Sequence, residues 1–142
     1  MTPKEFLRQY EEAAENAERL RAEYQAELNK VDNIRSALSG DGMPHGSGKS
    51  NPTEAEAIRL AAKANDYAKA EAKALKIQQR VFSVVIKVSG IEGQILTEHY
   101  INLRKWSEVA EIIHMSDSGM FDAHNRALKK VQTILKKRSE SE

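Results

Sequence analysis

Four histidines, at positions 45, 99, 114 and 124, are the first residues of this sequence to weigh for chemistry, and neither His-x3-His nor His-Glu-x2-His spacing occurs among them. Two ligands therefore do not share a helix face. His99 and His124 are expected as half-buried packing residues, and His114 as a helix terminator whose charge the dipole favours. The triplet Gly48-Lys49-Ser50 has the ending of a phosphate loop, but the glycine needed five residues before Gly48 is Met43 and no strand precedes it. A polar connector is the better reading. Carboxylates are numerous but fall on segments expected to be helical and to face water. No nucleophile, base and oxyanion-binding group come together. The residues give no reason to expect an enzyme, a metal site or a cofactor. Cysteine is absent, which excludes disulfides and thiol catalysis and suits a reducing, cytoplasmic setting.

Phosphate is the chemistry for which the residues are better suited. Arg126, Lys129, Lys130, Lys136, Lys137 and Arg138 lie within a few helical turns, whereas the first forty residues carry six Lys/Arg against eight Asp/Glu. The whole chain has a formal net charge of only +1, so distribution rather than total charge carries the signal. A solvated helix face with cations favoured near its C-terminus would produce the same pattern.

These cations sit on the last of three short apolar segments. Leu96 and Tyr100 are spaced i, i+4 in the first, Gln94 to Ile101. Val109, Ile112 and Ile113 give one apolar side to the second, Trp106 to Ile113, with Trp106 as a core residue opening it. Met120, His124, Leu128, Val131 and Leu135 step by three or four along the third. Ser116 is a suitable N-cap with Asp117 in the first turn, and only His114-Met115 separates it from the second segment. Helices this short are marginal alone and must pack on one another. The spacing predicts a small trihelical head with a helix-turn-helix.

Before the head, two long helices are expected. The first should begin at Pro3, with Thr2 as cap, and run to about Leu38. Its heptads place Tyr10, Ala17, Tyr24, Val31 and Leu38 at one seam position, and Phe6, Ala13, Leu20, Glu27 and Ile34 at the other. A Gly/Pro-rich loop occupies 39–52. Thr53 and Glu56 form a capping box for the second helix. Its stripe is read as Ala57, Ala61, Ala64 and Ala68, then Leu75, Val81, Phe82, Val85 and Val88. The β-branched run Val84 to Val88 is taken as helix, with Ser89-Gly90 breaking it and Gly93 loosening the entry into the head. The seam of the first helix offers more apolar surface than an Ala-rich helix can cover, so self-association through the hairpin is expected. With 30% charged and 6% aromatic residues, an extended helical protein fits better than one thick core. No apolar run approaches the ~18 residues of a membrane span, and the N-terminus does not read as a signal peptide.

In the head, Glu108-Val109-Ala110, Ile113, Ser116, Met120 and Ala127-Leu128 with Val131 resemble sigma-factor region four. Tyr100-Ile101, Trp106, Glu108-Val109-Ala110, Ser116 and the run His124 to Lys130 are similar to small sigma-like proteins of phages and prophages of Gram-positive bacteria. Many such proteins carry a long helical N-terminal half interrupted by a Met-Pro loop, here Met43-Pro44. Their better-understood relatives, of the ArpU and RinA type, regulate phage late genes. The resemblance implies an all-α fold: a long antiparallel, coiled-coil-like helical hairpin over residues 1–90, a helix-turn-helix head over 91–138 and a tail at 139–142. It implies double-stranded DNA as partner. From the resemblance and helix phase together, Asp117, Ser118, Gly119, Phe121 and Asp122 would face the groove, with Asn125 and Arg126 further along. Lys129, Lys130, Lys136 and Lys137 would hold phosphates. Where relatives often carry basic or hydrogen-bonding side chains, this sequence has Ser118, Gly119 and Asp122, so DNA binding by the isolated protein is expected to be weak. A module that docks RNA polymerase or another phage protein, and a DNA-packaging subunit of the small-terminase kind, are the alternatives.

Overall fold

The computed structural model describes the backbone of residues 1–39 and 52–141, and the side chains of 1–33 and 54–141. The connector with its Gly48-Lys49-Ser50 triplet, the Met43-Pro44 pair, His45, and the side chains of Ile34, Leu38 and Thr53 lie outside the described residues. Every regular element described is helical: α1 (Pro3–Ser39), α2 (Pro52–Val85), α3 (Gly90–Leu96), a π-helical turn (Thr97–Ile101), α4 (Trp106–Ile113) and α5 (Asp117–Ser141). Among the described residues no helix is long and apolar enough to cross a membrane.

α1 starts where its sequence says it should. Thr2 Oγ1 accepts the Glu5 backbone N–H at 3.1 Å while Glu5 Oε2 accepts that of Thr2 at 3.2 Å, a reciprocal capping box ahead of Pro3. The seam runs along it as expected. Phe6 and Ala17 are buried, and Tyr10, Ala13, Leu20, Tyr24, Glu27 and Val31 are half-buried; Leu7, outside the expected seam, is fully buried as well.

α2 departs from expectation. Ala57, Ala61 and Ala68 are exposed, and so are Leu75 and Phe82. Of the expected stripe, Val81, Val85 and Val88 are buried and Ala64 is half-buried; the buried face is completed by Ala70, Ala74 and Val84, with Leu60, Tyr67 and Ile77 half-buried. α2 carries two apolar stripes, and a helix has no internal reason to prefer one. The stripe with the branched residues at its C-terminal end is the one that packs.

The chain divides into two compact units, Met1–Ala14 with Ala74–Glu142, and Glu15–Lys73. In the second, Tyr24 stacks on Tyr67 with ring centroids 6.3 Å apart, and Lys63 pairs with Glu23 at 3.2 Å. In the first, Phe6 and Leu7 join Val81, Val84, Val85, Val88, Leu96, Tyr100, Ala127 and Val131 in one buried cluster. This unit thus joins the first turns of α1 and the last of α2 to the short helices and α5 that follow. Burying a Leu or Val side chain contributes about 1.5–3 kcal/mol, and contributions of that size are what a seven-residue helix such as α3 requires.

α2 ends at Val85, short of Val88. Lys87 and Val88 turn back with i, i+3 bonds to the carbonyls of Val84 and Val85, both 3.0 Å. Gly90 then takes φ +76°, and Gly93 is buried against the turn. A Cβ on Gly93 would lie 1.9 Å from the Val88 carbonyl oxygen. Gly93 therefore lets α3 close onto the turn rather than loosening it. α3 passes into the π turn, closed by Asn102 N–H to Thr97 O at 2.9 Å. Leu103, at φ 57°, reverses the chain toward α4. Arg104 secures that reversal, reaching Glu98 at 2.6 Å and Glu108 at 3.8 Å.

Candidate nucleic-acid interface

α4 ends at His114, whose backbone is left-handed at φ 56°, ψ 46°. The Met115 N–H returns to Ala110 O at 3.1 Å and the His114 N–H to Glu111 O at 3.3 Å, satisfying carbonyls that the helix end leaves open. His114 does end the helix, through backbone geometry usually left to glycine or asparagine. Ser116 then caps α5, its Oγ accepting the Gly119 N–H at 3.2 Å while its carbonyl accepts that of Met120 at 2.9 Å. Three residues, 114–116, connect the two helices. Behind the turn Val109, Ala110 and Ile113 of α4 pack on Met120 and Ala123 of α5, with Ile95 of α3 beneath. Ile112, expected in that face, is 36% exposed.

A second set of contacts fixes α5 through aromatic rings. His99 stacks on Trp106 at 3.6 Å between centroids, 17° from parallel, and Trp106 meets His124 and Phe121 edge-on at 4.7 and 5.3 Å. The Tyr100 hydroxyl and His124 Nε2, both buried, share a hydrogen bond of 2.8 Å. Burial pushes the Tyr100 hydroxyl up to about 12 and His124 down to about 4, so both partners are neutral at physiological pH. Burial also lowers His99, opposed by the hydrogen bond in which its Nδ1–H donates to the Arg104 carbonyl at 2.8 Å. Trp106 is thus half-buried at the centre of an aromatic stack, and His124 is fully rather than partly buried.

Outward from this core, the candidate residues of α5 fall on two parallel stripes. Ser118, Asp122, Asn125, Lys129 and Lys136 are spaced i, i+4, i+7, i+11 and i+18, and all are exposed. Gly119, Arg126, Lys130 and Lys137 follow one residue later at i, i+7, i+11 and i+18, on the neighbouring flank, where the i+4 place is the buried Ala123. Gly119 is half-buried against Ser116 and Met115 and does not present an outer surface as Ser118 does. Phe121 is 41% exposed with its ring against Trp106.

The second stripe is partly neutralised by a residue that sequence reasoning missed. Glu92 of α3 receives Arg126 Nε at 3.3 Å and Lys130 Nζ at 2.9 Å. Those two hydrogen bonds, that from Lys130 foremost, hold its carboxyl below the usual carboxylate range. The carboxylates were expected to face water, but the Glu92 side chain is only 15% exposed. No local signal could have found it, because its partners lie 34 and 38 residues away. Lys129, Lys136 and Lys137 make no ion pair among the described residues, while Arg138 turns inward to donate to Ser83 Oγ at 3.0 Å. Comparisons with protein-family models, curated proteins and solved structures give no match to this chain.

Proposed function

We propose that the chain is a cytoplasmic, phage-type transcriptional regulator whose α4 and α5 engage double-stranded DNA as a sigma-like helix-turn-helix. The observation that carries the reading is the short connection at 114–116 between two helices sharing one core, with Ser118, Asp122, Asn125, Lys129 and Lys136 exposed along α5. In this reading residues 118, 122 and 125 approach base edges, and Lys129, Lys136 and Lys137 hold phosphates. Arg126 and Lys130 contribute little while Glu92 holds them. Three phosphate contacts give a log–log salt slope of about −2.7. Fluorescence anisotropy on duplex DNA between low and physiological salt tests this. Replacing Lys129, Lys136 and Lys137 by Ala should remove most of the slope and weaken all sequences alike, and a flat response from the unmodified protein rejects the reading.

A second reading, a module that docks RNA polymerase or another phage protein, is favoured by Asp117 and Asp122 on the exposed side of α5 and by the Glu92 pairing. Carboxylates meet repulsion in a groove lined by phosphates unless one accepts a hydrogen bond from cytosine. Capture of polymerase from host lysate that survives nuclease treatment supports this second reading, and capture lost on nuclease treatment supports the first.

A further inference from the structure

The stripe of α2 left outside the core is itself a heptad seam. Positions 58, 61, 65, 68, 72, 75, 79 and 82, continued by Ile86 one residue past the end of α2 with its N–H still bonded to Phe82 O, alternate steps of three and four over four heptads, and all are exposed. Ile58 is 67% exposed, Leu75 53%, Phe82 43% and Ile86 65%. In heptad terms Ile58, Asn65, Ala72, Gln79 and Ile86 occupy one seam position, and Ala61, Ala68, Leu75 and Phe82 the other. A narrow 3.5-residue stripe of this kind fits a second helix with the same repeat.

From the flanking charges we propose that this face of α2 pairs with the same face of a second copy, parallel and in register. Glu71 and Lys76 take the two flanking positions that oppose each other five residues apart in a parallel pair, giving two symmetry-related ion pairs. Both are exposed, and neither is in an ion pair among the described residues. The other flanking lysine, Lys69, would face Ala64 of the second copy, so no like charges meet. An antiparallel pair would set the row containing Lys69 and Lys76 against itself. Asn65, the asparagine in the seam, favours one register at some cost in affinity. The surface differs from the α1 seam expected from sequence to self-associate, which is largely covered within the chain. The proposal stands whether or not α5 binds DNA.

Light scattering on the full chain, across micromolar to hundreds of micromolar, should give the mass of a dimer. Leu75→Asp with Phe82→Asp should return it to a monomer of unchanged helicity, since neither side chain supports the core. Glu71→Lys should raise the dimer Kd by about tenfold, and adding Lys76→Glu should restore it. Because the chain has no cysteine, Gln79→Cys reports register directly: it should oxidise to a covalent dimer, whereas Arg80→Cys, off the seam, should not. A monomer throughout the range, a dimer indifferent to the two aspartates, or equal crosslinking at 79 and 80 would overturn the proposal.

Discussion

Replacing Gly93 by Ala sets two physical effects against each other, and the structure decides which wins. Gly93 lies inside α3, where alanine is favoured over glycine by about 1 kcal/mol. Helix propensity alone therefore predicts a more stable protein. The added Cβ would stand 1.9 Å from the carbonyl oxygen and 2.9 Å from the carbonyl carbon of Val88. Both are backbone atoms, held by the Val88 N–H bond to Val85 O, so no side chain can swing aside. Relief requires α3 to move off the turn, lifting Ile95 and Leu96, both 0% exposed, from the core. Overpacking of this kind costs about 1–3 kcal/mol, and with backbone on both sides the upper end applies, leaving a net loss of about 2 kcal/mol. For a chain of this size that corresponds to a Tm lower by roughly 6–8 °C. Gly119→Ala is the control: its Cβ would meet only Ser116 Oγ at 3.2 Å and Met115 Cε at 3.4 Å, side-chain atoms that can yield. It should stabilise by up to ~1 kcal/mol. Urea unfolding followed by far-UV circular dichroism and Trp106 fluorescence measures both variants. A Gly93→Ala protein as stable as the parent would refute the close approach of α3 to Val88.

Tyr100→Phe should cost about 1–3 kcal/mol in the same unfolding assay, because it strands a buried nitrogen of His124. Since burial holds His124 near 4 in the folded state and the unfolded ring titrates near 6.5, the unfolded chain takes up the proton first. The stability that neutral His124 preserves should thus be complete above about pH 6.5 and decline steadily toward pH 4; a midpoint unchanged from about pH 7 to 5 would contradict this. Glu92→Gln releases Arg126 and Lys130, so duplex affinity should rise and the salt slope steepen from about −2.7 toward about −4.5, which anisotropy titrations would detect. Asp122→Arg, at an exposed position of α5, should raise non-specific DNA affinity without changing helicity or Tm; its abolishing a tight, sequence-specific complex would instead identify Asp122 as a base-reading residue.

Where a helix begins or ends through groups within one turn of the boundary, the sequence was sufficient. Thr2, Pro3 and Glu5 determine the start of α1, Ser116 that of α5, and the apolar side of Trp106 to Ile113 delimits α4, because caps and periodicity act over three or four residues. The α1 seam was legible for the same reason, its large residues recurring at heptad spacing, although the buried Leu7 lies beside the seam and was not read from it. The α2 stripe was legible only at Val81, Val85 and Val88, since alanines flank two apolar stripes of similar weight and only the residues packed against Val81 and Val84 distinguish them. Nor could local pattern reveal that Phe6 and Leu7 complete the core of the head, or that Gly93 faces a carbonyl five residues earlier across a turn. The candidate interface divides in the same way. Helix phase alone places Ser118, Asp122, Asn125, Lys129 and Lys136 on one stripe of α5. That Arg126 and Lys130 are engaged by Glu92 was decided by the packing of α3 on α5, because an ion pair across more than thirty residues depends on where two helices meet and on nothing nearer in the chain.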